Sequence, residues 1–112
     1  MPPEGSDCLF CSLVRDGEHV NRAEGFVAIR DIAPQAPTHL LVLPERHVDT
    51  FRQIDEFPDE EAGRMLRFVA AVAAAEGLDD YRVIVNVGPR AGQTVFHLHW
   101  HVLAGNALPG FH

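Results

Sequence analysis

The 112-residue sequence has no uninterrupted apolar run long enough to cross a bilayer, which takes roughly 20 residues as a helix. Its opening, MPPEGSDCLF, has neither the basic nor the apolar region of a secretory signal, so a soluble, cytoplasmic protein is the expectation. Positive charge is scarce: nine arginines and no lysine stand against sixteen aspartates and glutamates, for a formal net charge of −7. That balance argues against broad electrostatic binding to a nucleic acid polymer or an anionic membrane, so any anion must be held by a local group of donors. Cysteine is scarcer still. Cys8 and Cys11, in CLFC, are too close for a long-loop disulfide in a chain without an export signal, which leaves a thiol or a metal role. A lone CxxC does not distinguish half a zinc site from a redox pair or two buried thiols. There is no repeat, low-complexity tract or linker, and the length suits a single domain over 1–112, with residues 1–6 as a loose tail.

What is present reads as an α+β chain. In DCLFCSLVRD, residues 7–16, Leu9, Phe10, Leu13 and Val14 fall on one face of a short helix that stops at Gly17. VAIRD at 27–31 and HLLVLP at 39–44 read as strands, separated by a loop in which Pro34 and Pro37 exclude regular structure. From Asp59 to Glu76 the period becomes helical through Ala62, Met65, Leu66, Val69 and Ala73, with acidic residues in the first turn and Gly77 at the C-cap. YRVIVNV at 81–87 and VFHLHWHVL at 95–103 are strand-like, and the GPRAGQT between them suggests a hairpin. Strands and helices do not alternate regularly, which favours a mainly antiparallel sheet with the long helix on one face.

The stretch VFHLHWHVL carries the chemistry. A strand rises about 3.3 Å per residue and alternates its side chains, so His97, His99 and His101 share one face at intervals of roughly 6.6 Å. Phe96, Leu98, Trp100 and Val102 take the other face, which is expected to be buried under the long helix while the imidazoles line a site. Two strand histidines at i and i+2 also chelate metal in some proteins, so a catalytic metal is a rival at this point. The loop just before the strand supplies neutral donors suited to phosphate oxygens: Asn86, the backbone around Gly92 and Gln93, and the Thr94 hydroxyl.

His97-Leu98-His99-Trp100-His101-Val102-Leu103 resembles the His-φ-His-φ-His-φ-φ signature, φ being apolar, of the histidine triad (HIT) family. CLFC, RDIAPQAPTHLLVLPERH and NVGPRAGQTVFHLHWHVL resemble that family's blocks in the same order, closest to its small purine-nucleotide-binding phosphoramidases. The resemblance implies a five-stranded antiparallel sheet with one long helix and one short N-terminal helix, paired into a homodimer. It implies hydrolysis of a nucleoside 5′-phosphoramidate or related nucleotidyl compound, with His99 as nucleophile at the α-phosphate, His101 assisting charge or proton transfer, and His39 orienting the triad or passing protons. Asn86, Gly92, Gln93 and Thr94 would hold phosphate with His99 and His101, Asp31 would bind the ribose hydroxyls, and Ile32, Ile29, Phe10 and Leu13 would form the slot for a purine base. Cys8, Cys11, His47 and His97 match a Cys2His2 structural zinc site in family members that carry CxxC, and no catalytic metal is expected. The end of the chain, GNALPGFH, departs from the tryptophan-bearing extension common in that branch. Hydrolysis of dinucleoside polyphosphates is the alternative activity, and a nucleotide-binding interaction module with incidental hydrolysis is the alternative role.

Overall fold

The computed structural model describes residues 8–106 and Leu108; the expected tail at 1–6 and most of the divergent C-terminal segment lie outside them. Helix α1, Leu9–Asp16, begins where Cys8 caps it: the Cys8 Sγ accepts the Cys11 N–H at 3.2 Å. It ends at Gly17, whose N–H donates to the Leu13 carbonyl at 2.8 Å. A Cβ at Gly17 would stand 2.6 Å from that oxygen, so the close turn requires glycine. Helix α2, Asp59–Ala75, opens with Asp59, Glu60 and Glu61 against the positive end of its dipole. It closes through Gly77 at φ 72°, with the Leu78 N–H returning to the Ala73 carbonyl.

Five strands form one antiparallel sheet in the order β1-β2-β3-β5-β4: β1 Asn21–Ala23, β2 Phe26–Arg30, β3 Thr38–Pro44, β4 Arg82–Ile84 and β5 Trp100–Ala104. The α+β architecture agrees with the expectation. Strand β1 was not expected, because three largely exposed residues, Asn21, Arg22 and Ala23, at a sheet edge carry no apolar period. A six-residue 3₁₀ turn at Phe51–Glu56 was also missed, although its start is written in the sequence: Thr50 and Gln53 form a reciprocal capping box.

Strands β2 and β3 read as continuous apolar runs because the sheet is covered on both faces. Phe26, Ala28, Leu40 and Val42 pack with Met65, Phe68, Val69 and Val72 of α2, while Val27, Ile29, Leu41 and Leu43 pack with Phe10 and Val14 of α1. Each such large apolar side chain is worth about 1.5–3 kcal/mol on burial. Among the described residues no helix is long and apolar enough to cross a membrane.

The triad segment departs from expectation in an instructive way. The predicted strand 95–103 enters the sheet only at Trp100, and the predicted strand 81–87 pairs only over Arg82–Ile84. The register Val42↔Trp100 would place Leu98 opposite Pro44, which has no N–H for the ladder, and the Leu98 N–H turns instead to the Val48 carbonyl at 2.6 Å. Residues 85–99 thus form a long connection containing a second 3₁₀ turn, Pro89–Ala91, rather than a tight hairpin. Leu98, Trp100 and Val102 join the α2-side core as expected, but Phe96 lies before the paired stretch and stays 45% exposed.

Candidate active site

His99 lies one residue before β5 and is held on both sides. Its Nδ1–H donates to the carbonyl of His97 at 2.7 Å, and Phe10 of α1 meets its ring edge-on with centroids 4.8 Å apart. A carbonyl can only accept, so the proton sits on Nδ1 and Nε2 keeps its lone pair. Burial lowers the His99 pKa from its ordinary value, which favours the neutral imidazole.

His101, on β5, belongs to a second chain of hydrogen bonds whose polarity follows from one backbone group. The Gln35 N–H, in the proline-bounded loop after β2, donates to His39 Nδ1 at 3.0 Å. His39 therefore carries its proton on Nε2 and donates it to His101 Nδ1 at 2.8 Å. His101 is left with its proton on Nε2. Burial, together with the neighbouring His99 and His39 rings, pushes the His101 pKa down to about 4. His39 is buried and its pKa is likewise lowered by burial, against the pull of Asp31 3.4 Å from its Nε2. Asp31 is fixed by its own turn, one carboxylate oxygen accepting the Ala33 N–H at 2.8 Å.

Asp31, His99 and His101 face a cavity of about 280 Å³. Phe10, Leu13, Ile29 and Ile32 form its apolar side, and Asp31, Thr94, His99 and His101 its polar side. The sequence reading missed Leu9, Arg30, Leu41 and Val95, which also line it. Of these, Leu9, Arg30 and Val95 adjoin residues already singled out, which is the only sequence signal for them. Asn86, Gly92 and Gln93 are not among the lining residues. Asn86 lies beside Gly92 in the connection. Gln93 is only 2% exposed and spends its amide internally, accepting from the Gly88 N–H and donating to the carbonyls of Asp49 and Val95.

The triad's first histidine is not in this cavity. The imidazole face expected to be open is covered at that end by α1, and His97 is fully buried, facing Cys8 and Cys11. The Cys11 Sγ lies 3.1 Å from His47 Nδ1 and 3.3 Å from His97 Nδ1, and the Cys8 Sγ lies 3.4 Å from His97 Nδ1. All four ligand atoms fall within 4.8 Å of one another. Ligand separations around a tetrahedral zinc are roughly 3.6 Å, from Zn–S near 2.3 Å and Zn–N near 2.0–2.1 Å. The outer nitrogens complete the fit: His97 Nε2–H donates to the Pro44 carbonyl at 2.8 Å and His47 Nε2–H to Asp49 at 2.6 Å. Both Nδ1 lone pairs are thereby turned toward the sulfurs, the arrangement that orients histidine ligands. These four residues can bind a metal. Asp31, His39 and His101 are also close enough to share an ion. The Gln35 amide, however, requires a proton on the His39 nitrogen that would have to ligate, so His39 and His101 are joined as a hydrogen-bonded chain.

A five-stranded antiparallel sheet that sets a row of alternate histidines between a closed Cys2His2 cluster and an open cavity defines a histidine-triad protein. The chain belongs to the HIT domain family, whose profile matches residues 13–108. It is 45% identical over 106 residues to an uncharacterized HIT-like protein of Synechococcus elongatus, covering 91% of this chain and 93% of the relative. It is 41% identical over 107 residues to the purine nucleoside phosphoramidase of Escherichia coli, covering 91% and 90%. Among solved structures, a HIT family hydrolase from Legionella pneumophila superposes with a TM-score of 0.83 at 36% identity, covering 92% of this chain and 96% of that one. A histidine triad protein from Clostridium difficile gives 0.83 at 35% identity, covering 96% and 97%.

Proposed function

We propose that this protein is a nucleotide-binding hydrolase that cleaves purine nucleoside 5′-phosphoramidates, or related nucleotidyl compounds, at the α-phosphate through a nucleotidyl-His99 intermediate. The observation that carries the reading is the His99 Nδ1–H bond to the His97 carbonyl, which leaves an unprotonated Nε2 on a ring lining a nucleotide-sized cavity. With ribose at Asp31 and the base among Phe10, Leu13, Ile29 and Ile32, the α-phosphate falls to Thr94, His99 and His101. His99 Nε2 bonds to phosphorus while the phosphorus–nitrogen bond breaks, and the substrate nitrogen, having taken a proton from solvent, departs with the bond's electron pair as a neutral amine. Through its Nε2–H, His101 hydrogen-bonds the phosphate oxygens and offsets the charge there. Water then bonds to phosphorus and returns a proton to solvent, the phosphorus–Nε2 bond breaks with its electron pair going back to nitrogen, and the nucleoside monophosphate leaves with His99 restored.

Asn86, Gly92 and Gln93 shape the connection that presents Thr94, rather than each reaching the phosphate. Cys8, Cys11, His47 and His97 would hold zinc; bound there, it would supply a structural tie between α1 and the triad segment. The reading extends to a homodimer formed by a second copy of this chain, supported by the place of β4 as the last strand of the sheet among the described residues, with Val83 exposed on it and Tyr81 just before it.

The substrate class follows from charge. Arg30 is the only arginine or lysine among the lining residues and is paired with Glu76 at 3.0 Å, whereas expelling a polyphosphate calls for cations. The test is kcat/KM for adenosine and guanosine phosphoramidates against diadenosine tri- and tetraphosphate, with and without magnesium. Faster turnover of the phosphoramidates is expected. A tenfold preference for a polyphosphate would overturn the substrate assignment.

A further inference from the structure

Beside the apolar side of the nucleotide cavity lies a second, half-open chamber of about 490 Å³, in which Glu18, Arg30 and Ile32 are exposed. It shares Leu13, Ile29, Arg30 and Ile32 with the first cavity, so these residues form a partition between the two. On its far side it adds Glu18, His19, Val20 and Glu76. The polar lining is not uniform. Glu18 brings a carboxylate, and His19, whose Nε2–H donates to the Leu13 carbonyl at 3.2 Å, is left with Nδ1 as an acceptor. Arg30 brings a donor fork, one arm of which is on Glu76.

We propose that this chamber reads the base and selects guanine, through Arg30 at the 6-oxo group and Glu18 at the N1–H and 2-amino group. The proposal rests on the nucleotide-hydrolase reading, because it takes the ribose to lie at Asp31. A purine held by its sugar at Asp31, with its rings at the Leu13, Ile29 and Ile32 partition, directs the edge farthest from the glycosidic bond into the chamber. On guanine that edge carries an acceptor oxygen beside two donor groups, matching in kind the guanidinium and the carboxylate that both line the chamber. Adenine reverses the pattern, setting its 6-amino group against Arg30 and the bare N1 lone pair against Glu18. A pyrimidine is one ring shorter and does not extend past the partition.

The test is calorimetric binding of GMP, IMP and AMP to the full chain and to Glu18→Gln. GMP is expected to bind about tenfold more tightly than AMP, a modest factor because the reading groups are partly solvated. IMP, which keeps the 6-oxo group and N1–H but lacks the 2-amino group, should fall between them. In Glu18→Gln the GMP advantage over AMP should shrink to about twofold or less. Equal affinity for GMP and AMP in the unaltered chain, or an unchanged ratio in Glu18→Gln, would overturn the chamber's role while leaving the hydrolase reading intact. Failure of all three purines to bind would overturn the nucleotide reading and this proposal with it.

Discussion

Asp49 is the residue whose removal most cleanly tests the Cys2His2 cluster, because its side chain makes a single contact there. Its carboxylate accepts the His47 Nε2–H at 2.6 Å, holding the His47 Nδ1 lone pair toward the Cys11 sulfur. Asp49→Ala removes that lock and leaves the backbone carbonyl that anchors Gln93 in place. Loss of such an outer partner typically weakens a metal site about 10- to 100-fold. The Asp49 side chain is 54% exposed, so solvent screens the bond, and His97 keeps its own lock on the Pro44 carbonyl. The expected loss is therefore at the low end, about tenfold in zinc affinity or about 1.4 kcal/mol. Titration of the zinc-loaded protein with a metallochromic chelator measures it, with Cys11→Ser as the reference for removal of a ligand. Unchanged zinc affinity in Asp49→Ala, with binding abolished in Cys11→Ser, would refute the orienting role. Absence of zinc from the unaltered protein would refute the site itself.

Gln93→Ala should lower stability by about 2–3 kcal/mol, because it strands the Gly88 N–H and deprives two carbonyls of their partner, and a thermal melt reads it. A raised KM with an unchanged melt would instead make Gln93 a direct phosphate ligand. The folded His101 imidazole titrates near 4 against an ordinary 6.5, so on acidification the unfolded chain takes the proton first. Its contribution to stability is present above pH 6.5 and is lost progressively as pH falls toward about 4, so the melting temperature of the unaltered chain should fall more steeply across that window than that of His101→Asn. Parallel curves would contradict the shift. Replacing the Gln35 amide by an ester removes the donor to His39 Nδ1, and ¹⁵N spectra should then show His39 mixing its two tautomers, whereas Gln35→Ala, which keeps the N–H, should not. A single unchanged tautomer in the ester would place the control elsewhere.

The candidate residues were legible because they lie close together in the chain, and the groups around them were not because the fold supplies them. The alternation of His97, His99 and His101 and the Cys8–Cys11 pair are local patterns, and the family resemblance joined them to His47, His39 and Asp31. Asp49 escaped notice because no spacing rule marks a carboxylate two residues after a histidine as its partner. Gln93 read as a phosphate donor because the groups that occupy its amide, on Gly88, Asp49 and Val95, are assembled only by the folded connection. The burial of His97 was deducible in part: α1 is amphipathic through Phe10 and Val14 and needed an apolar surface, and the triad face of the sheet beside Leu41 and Leu43 was the one α2 left open. The early end of the β5 ladder was hidden because it depends on Pro44 facing Leu98, a matter of register between segments more than fifty residues apart.

The nucleophile itself can be trapped. The protein is mixed with a purine nucleoside 5′-phosphoramidate, quenched within one turnover, digested under alkaline conditions that preserve phosphohistidine, and the peptide spanning 95–103 is sequenced by mass spectrometry. A nucleoside monophosphate adduct on His99, absent from His99→Ala together with several orders of magnitude of turnover, is the expected result. An adduct on another residue, or near-normal turnover in His99→Ala, would contradict the assignment of His99 as the group that attacks phosphorus.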